Sequence, residues 1–181
     1  MKKIEIQTTF KKMLADVYTP VGIYLRLRDR FRDTILLEST DFHAGENSYS
    51  FIGINAVAGI EISNAAAIEF KLPGQPAERI KLDKDADVPQ LLWDFMQRFE
   101  IKEAAIKPVN VAQGLFGYTA FDAVQFFDKI GYDSKKTSAI EERNEQRPPN
   151  NDFPLMRYRL YQYVIAINHF KDEQRYYCVS R

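Results

Sequence analysis

Ser48 to Ile62, S-Y-S-F-I-G-I-N-A-V-A-G-I-E-I, is the stretch that most limits what this chain can become. Its Ile, Val and Phe suit a pleated strand, and Gly53 and Gly59 argue for bends or bulges rather than a helix. A chain holding such a run must build a sheet around it. The shorter run Ile35-Leu36-Leu37 precedes it and delivers Glu38 and Ser39 to the start of a polar loop. A carboxylate and a hydroxyl placed where a buried strand meets a loop can grip a small polar ligand at the edge of a core. This strand end is the first candidate for a site.

The remainder of the chain supplies partners for the sheet. Ala66 to Leu72 alternates, P-G-Q-P is a strong turn signal, and Ala77 to Leu82 alternates again, which predicts an antiparallel meander. Leu155 to Phe170 is a long strand, Lys171 to Gln174 a turn, and Arg175 to Val179 a partner strand ending near the C-terminus. That last strand is expected to leave an open edge needing cover, so either the terminus is simply short or the chain is a fragment of something longer. Tyr132 to Asn151 is charged and proline-bearing and is expected to be an exposed connection, with too little chain after it for a second core. Residues 1 to 181 therefore read as one domain.

Three helices are expected to pack on these strands. Thr8 and Thr9 are plausible N-caps for a helix with Phe10, Met13, Leu14 and Val17 on one face, ended by Pro20. Val21 to Leu27 then alternates as a strand, in a hairpin with Thr34 to Ser39. Asp87 is placed to cap a helix from Val88 to Phe99, with Val88, Leu91, Leu92, Phe95 and Phe99 on one face. In Q-G-L-F-G-Y, Gly114 and Gly117 bracket a short buried strand whose backbone lies close to a neighbour. Thr119 and Asp122 resemble a capping box opening a helix that buries Ala120, Ala123, Val124 and Phe127 and stops at Gly131. The fold class is α+β, antiparallel sheets in a sandwich-like meander packed with about three helices.

Composition narrows function mainly by exclusion. Twenty-five basic residues balance 25 acidic ones, so no overall field favours nucleic acid or an anionic membrane. One cysteine, Cys178, permits no intrachain disulfide, and His43 and His169 alone give no zinc spacing. No signal peptide and no apolar run of about 18 to 20 residues is visible, which points to the cytoplasm. The G-x-x-G at Gly114 is too short for a phosphate-binding fingerprint. No nucleophilic Ser or Cys with a nearby His is recognised, so neither a catalytic nor a metal-binding set is expected.

Several motifs in order give a family resemblance. L-L-E-S at Leu36 to Ser39, Y-S-F-I-G at Tyr49 to Gly53, G-L-F-G-Y at Gly114 to Tyr118 with F-D-A-V-Q-F-F-D, and the N-D-F-P to I-N-H-F segment at Asn151 to Phe170 resemble the N-terminal part of anthranilate synthase component I, the large subunit. The resemblance implies an enzyme that turns chorismate into anthranilate, the first committed step of tryptophan synthesis. Ammonia would come from a glutamine amidotransferase subunit, with Mg2+ in the full-length enzyme and no cofactor in this chain. Chorismate and metal residues would lie in a C-terminal chorismate-binding domain outside this sequence. This chain would be the regulatory portion, inactive alone.

Within that resemblance L-L-E-S contributes to a feedback site for L-tryptophan. Ser39 is the leading ligand residue, with Glu38 beside it and Tyr49 and Ser50 from the facing run. Glu38 would meet the ammonium, the serine hydroxyls the carboxylate, and Leu37 with Tyr49 the indole. Because the family also uses residues outside this sequence, weak or undetectable binding is expected of the chain alone. Two departures stand out: Gln113 replaces a glycine before G-L-F-G-Y, and G-E-N-S-Y-S-F replaces G-R-Y-S-F, removing a basic residue. The aminodeoxychorismate synthase large subunit, which shares G-L-F-G-Y, is the alternative within the family. A free-standing amino-acid-binding or interaction module is the alternative outside it.

Overall fold

The structure, a computed structural model, describes residues 3–14, 17–38, 48–63, 67–83, 86–102, 106–127, 153–169 and 175–180, with backbone alone for residue 108 and for 175–180. Ser39, the segment 132–151, Gly131 and the turn 171–174 fall outside these residues. The strands are β1 (Ile4–Ile6), β2 (Thr9–Leu14), β3 (Ile35–Leu37), β4 (Tyr49–Ser63), β5 (Ala67–Lys71), β6 (Glu78–Lys81), β7 (Phe99–Ile101), β8 (Phe116–Thr119), β9 (Met156–Asn168) and β10 (Arg175–Ser180). The helices are α1 (Pro20–Leu27), α2 (Val88–Met96) and α3 (Lys107–Ala112), with a 3₁₀ helix at Phe121–Phe126. The class is α+β. One eight-stranded sheet runs β2-β10-β9-β4-β5-β6, with β3 on β4 and β8 on β9, and every pairing in it is antiparallel. A separate parallel pair, β1 with β7, is the one departure from antiparallel pairing among the described strands.

The long β4–β9 ribbon is the spine, and its neighbours divide it in two. On β4, β3 covers Phe51 to Gly53 and β5 covers Gly59 to Ser63. On β9, β8 covers Met156 to Arg159 and β10 covers Tyr163 to Asn168. Between these stretches the ribbon register slips at Ala56 to Ala58, next to Asn55, whose φ of 60° places a non-glycine residue in the left-handed region. The break in β4 therefore lies at Asn55–Val57, between the two glycines the sequence singles out. Gly53 and Gly59 do something else: a Cβ on Gly53 would lie 2.6 Å from the Tyr161 ring, and one on Gly59 would lie 2.5 Å from the Arg159 side chain. They are the floor beneath two large side chains.

Each half of the ribbon is covered by its own helices. Phe95, fully enclosed, and Val88 of α2 join Ala58, Ile60, Ile62, Ile68, Phe70 and Leu160 in the largest apolar cluster. Asp87 caps α2 by accepting from the Gln90 amide at 2.9 Å, as the sequence predicts. At the other half, Ile23, Tyr24 and Leu27 of α1 pack on Leu36, Ile52, Ile54 and Ile167, whereas Val109 and Ala112 of α3 pack with Ile35, Leu37, Phe51, Val164 and Ala166. Leu36 thus faces α1 while Ile35 and Leu37 face α3, so both faces of this half are covered.

Two sequence expectations near the N-terminus are reversed. The helix proposed for Thr8 to Pro20 is instead strand β2, with every residue exposed, and the strand proposed for Val21 to Leu27 is helix α1. Pro20 starts a helix rather than ending one, because its fixed φ suits the first helical position and Thr19 Oγ1 accepts from the Gly22 amide at 3.0 Å. Ile23, Tyr24 and Leu27 then share the buried side, a helical spacing that the alternation of V-G-I-Y-L-R-L conceals. The stripe Phe10, Met13, Leu14 yields to pairing of β2 with β10, Thr9 opposite Ser180 through Leu14 opposite Arg175. The expected open edge at the C-terminus is covered by this N-terminal strand.

Candidate functional site

β3 and β4 pair with Leu37 opposite Phe51, so the next step of the register sets Glu38 across from Ser50. Glu38 is exposed, and among the described residues nothing hydrogen-bonds or ion-pairs with it. Ser50 is fully enclosed. Its Oγ shares a 2.7 Å hydrogen bond with Nε2 of His169, whose backbone amide donates to Ser48 O at 3.0 Å. Pairing of β4 with β9 brings together a serine and a histidine 119 positions apart, a pair that spacing along the sequence does not show. With the hydroxyl closed off from solvent, the pair holds two strands together and exposes no nucleophile.

Strand alternation divides the sequence-predicted residues between two faces. Ser50 lies across from Ile167, in the cluster beneath α1, and Glu38 follows Leu36 on that side. Tyr49 faces the other way, stacking on Phe51 at 6.0 Å between centroids, and its hydroxyl accepts from Asn168 Nδ2 at 3.2 Å. Phe51 in turn meets Phe116 at 5.3 Å. A polar corner of Glu38, Ser50 and His169 therefore backs onto an aromatic corner of Tyr49 and Phe51. A ligand using both would have to wrap over the end of the hairpin.

A second feature lies where the ribbon slips. A cleft of about 380 Å³ is lined by Asp33, Thr34 and Ile35, by Phe116, Gly117 and Tyr118 of β8, and by Arg157, Arg159 and Tyr161 of β9. Arg157 donates to Asp33 at 2.9 Å and lies 3.5 Å from Glu61, and Arg159 donates to the same Glu61 oxygen at 2.5 Å. Asp33 sits at φ 51°, a left-handed turn that a short polar residue tolerates and that carries its carboxylate to the arginine. Two cations face two carboxylates, leaving no excess charge for an anion, so this network reads as a clasp fixing the α1–β3 turn to the sheet. R-Y-R-L-Y, with Arg157, Arg159 and Tyr161 at period two, is the sequence signal that marks it.

Burial pushes the Tyr161 phenol up to about 12, although Arg157 and Arg159 pull it down. The unfolded chain keeps the ordinary value near 10. Below about pH 10 the phenol is protonated in both states and its contribution is intact; between about 10 and 12 the unfolded state ionises first, and stability falls. Urea unfolding should show about 2–3 kcal/mol lost across that window from this residue. The Tyr161→Phe variant should lack that component, and equal slopes in the two proteins would refute the assignment.

Two other sequence expectations near β8 resolve differently. Gly117 does mark a close approach, since a Cβ there would fall within bonding distance of the Arg157 carbonyl on β9. Thr119 does not cap a helix: its hydroxyl shares a 2.7 Å hydrogen bond with Tyr158 OH, and Ala120 precedes a 3₁₀ helix with no side-chain cap. Ala123 is enclosed as expected, but Phe127 is half exposed.

Fold and site together define a class: an α+β fold on one large antiparallel sheet, with a polar corner at a strand end and an enclosed serine hydrogen-bonded to a partly buried histidine. No helix among the described residues is long and apolar enough to cross a membrane. No protein-family model matches the chain. Its sequence is 27% identical over 146 residues to anthranilate synthase component 1 of Arthrobacter globiformis, an alignment covering 80% of this chain and 23% of that protein. The chain thus spans about a quarter of the length of this curated relative, and the resemblance carried by L-L-E-S, Y-S-F-I-G and G-L-F-G-Y is borne out.

Proposed function

We propose that this chain is a regulatory portion of a chorismate-using enzyme of the anthranilate synthase type, and that the β3–β4 strand end contributes to a feedback site for L-tryptophan. The observation that carries the reading is the exposed Glu38 carboxylate, unpaired among the described residues, which the register, continued one step past Leu37–Phe51, sets across from Ser50 of the Ser50–His169 pair, in a chain with that sequence similarity. A carboxylate at a sheet end suits an ammonium group, and the aromatic corner on the opposite face, reached over the end of the hairpin, offers an indole a flat apolar wall. Ser39, outside the described residues, remains the leading proposed ligand, with Glu38 and Tyr49, while the enclosed Ser50 lies behind the strand end.

In the whole enzyme tryptophan would act by binding more tightly to a conformation less able to use chorismate. Chorismate chemistry, Mg2+ and the glutamine amidotransferase subunit belong, on this reading, to partners of the chain. Calorimetric titration tests the site. L-tryptophan should saturate only at millimolar concentrations, on the order of −4 kcal/mol, more tightly than D-tryptophan, and Ser39→Ala should abolish the heat. Equal heats from the two enantiomers would contradict the reading.

A further inference from the structure

An amino acid's carboxylate needs a hydrogen-bond donor, and among the described residues of the sequence-predicted set, Glu38, Tyr49 and Ser50, none presents one on the polar face. Glu38 only accepts when ionised. Ser50 is fully enclosed and engaged with His169, and the Tyr49 hydroxyl is on the opposite face, engaged by Asn168. His169 stands at this same corner and is only partly buried. Its Nε2 is taken by Ser50, while Nδ1 has no hydrogen-bond partner among the described residues.

We infer that His169 is a binding residue of this site, donating from Nδ1 to the ligand's carboxylate, and that Ser50 is its positioning residue rather than a ligand contact. The inference rests on the effector-site reading above. The role requires the tautomer in which Nε2 accepts from Ser50 Oγ, so that the ring proton sits on Nδ1, free to donate. The enclosed hydroxyl also locks the ring against the strand end, so the donor is held in place before the ligand arrives. Glu38 and His169 then supply an acceptor and a donor at one strand end, as an α-amino acid requires.

The test compares L-tryptophan with tryptamine, which lacks the carboxylate, on the full chain. A hydrogen bond to a charged group is worth about 1.5–3 kcal/mol, so His169→Leu should weaken L-tryptophan binding roughly tenfold or more and leave tryptamine unchanged. His169→Asn, which keeps a donor, should retain part of the preference, and Ser50→Ala should lower it by freeing the ring. Circular dichroism on each variant separates loss of fold from loss of binding, and if His169→Leu does not fold the His169→Asn and wild-type comparisons still decide. Wild-type chain preferring L-tryptophan over tryptamine, with both His169 variants unchanged, would overturn the role of His169 alone. Wild-type chain binding both compounds equally would overturn the effector-site reading and this inference with it.

Discussion

Gly117→Val should detach β8 from β9 and destabilise the chain by about 3 kcal/mol or more. The Cβ would collide with the Arg157 carbonyl and would lie 2.7 Å from the Tyr158 Cα, both backbone atoms that no rotamer change can move aside. Phe116 to Thr119 pair with Met156 to Arg159, so relief of the clash must break that register. Hydrogen exchange should show loss of protection at residues 116–119 and 156–159, with the half of the ribbon flanked by β3 and β10 less affected. Chemical denaturation within about 0.5 kcal/mol of wild type would show that the strand accommodates the side chain.

Glu61→Ala is the second large effect expected, and it acts through a charge left without its partner. Arg159 has only 10% of its side chain exposed, and besides Glu61 its guanidinium reaches two carbonyls at 3.4 and 3.5 Å. Removing the carboxylate strands an enclosed cation and also takes one anion from Arg157, at a cost of about 3 kcal/mol. Glu61→Gln keeps an acceptor and should cost less. Because Asp33 and Arg157 are each more than a third exposed, Asp33→Ala should cost no more than about 1 kcal/mol. Equal losses at Glu61 and Asp33 in urea melts would refute this ranking.

The parts of the fold legible in the sequence are those whose local signals agree with their tertiary setting. β4, β5, the turn at P-G-Q-P with Gly74 at φ 69°, β9, and α2 with its Asp87 cap lie close to where periodicity and turn chemistry put them. The N-terminal errors have one cause: a sheet edge recruited Thr9 to Leu14, and pairing with β10 outweighed a helical stripe. Short alternation in Val21 to Leu27 then had no strand to pair with, and Thr19-Pro20 set the helix. β1 and β7, three residues each, lie too far apart in sequence for any local pattern to announce them.

The candidate site was legible in its strand end and not in its depth. L-L-E-S and Y-S-F-I-G identified two strands that do pair, but alternation, once registered, sends Tyr49 and Ser50 to opposite faces. Only the β4–β9 register reveals His169, because its contact with Ser50 spans most of the chain. The Arg157–Glu61–Asp33 clasp was missed for the same reason, although the period-two spacing of Arg157, Arg159 and Tyr161 was open to view.

Backbone amide shifts during titration with L-tryptophan test the central claim most directly, since they report where the ligand sits. The strand-end site predicts perturbations concentrated at residues 37–38, 49–50 and 168–169, growing with ligand into the millimolar range and smaller with D-tryptophan. Shifts centred instead on Asp33, Gly117 and Arg157, or equal for the two enantiomers, would contradict it.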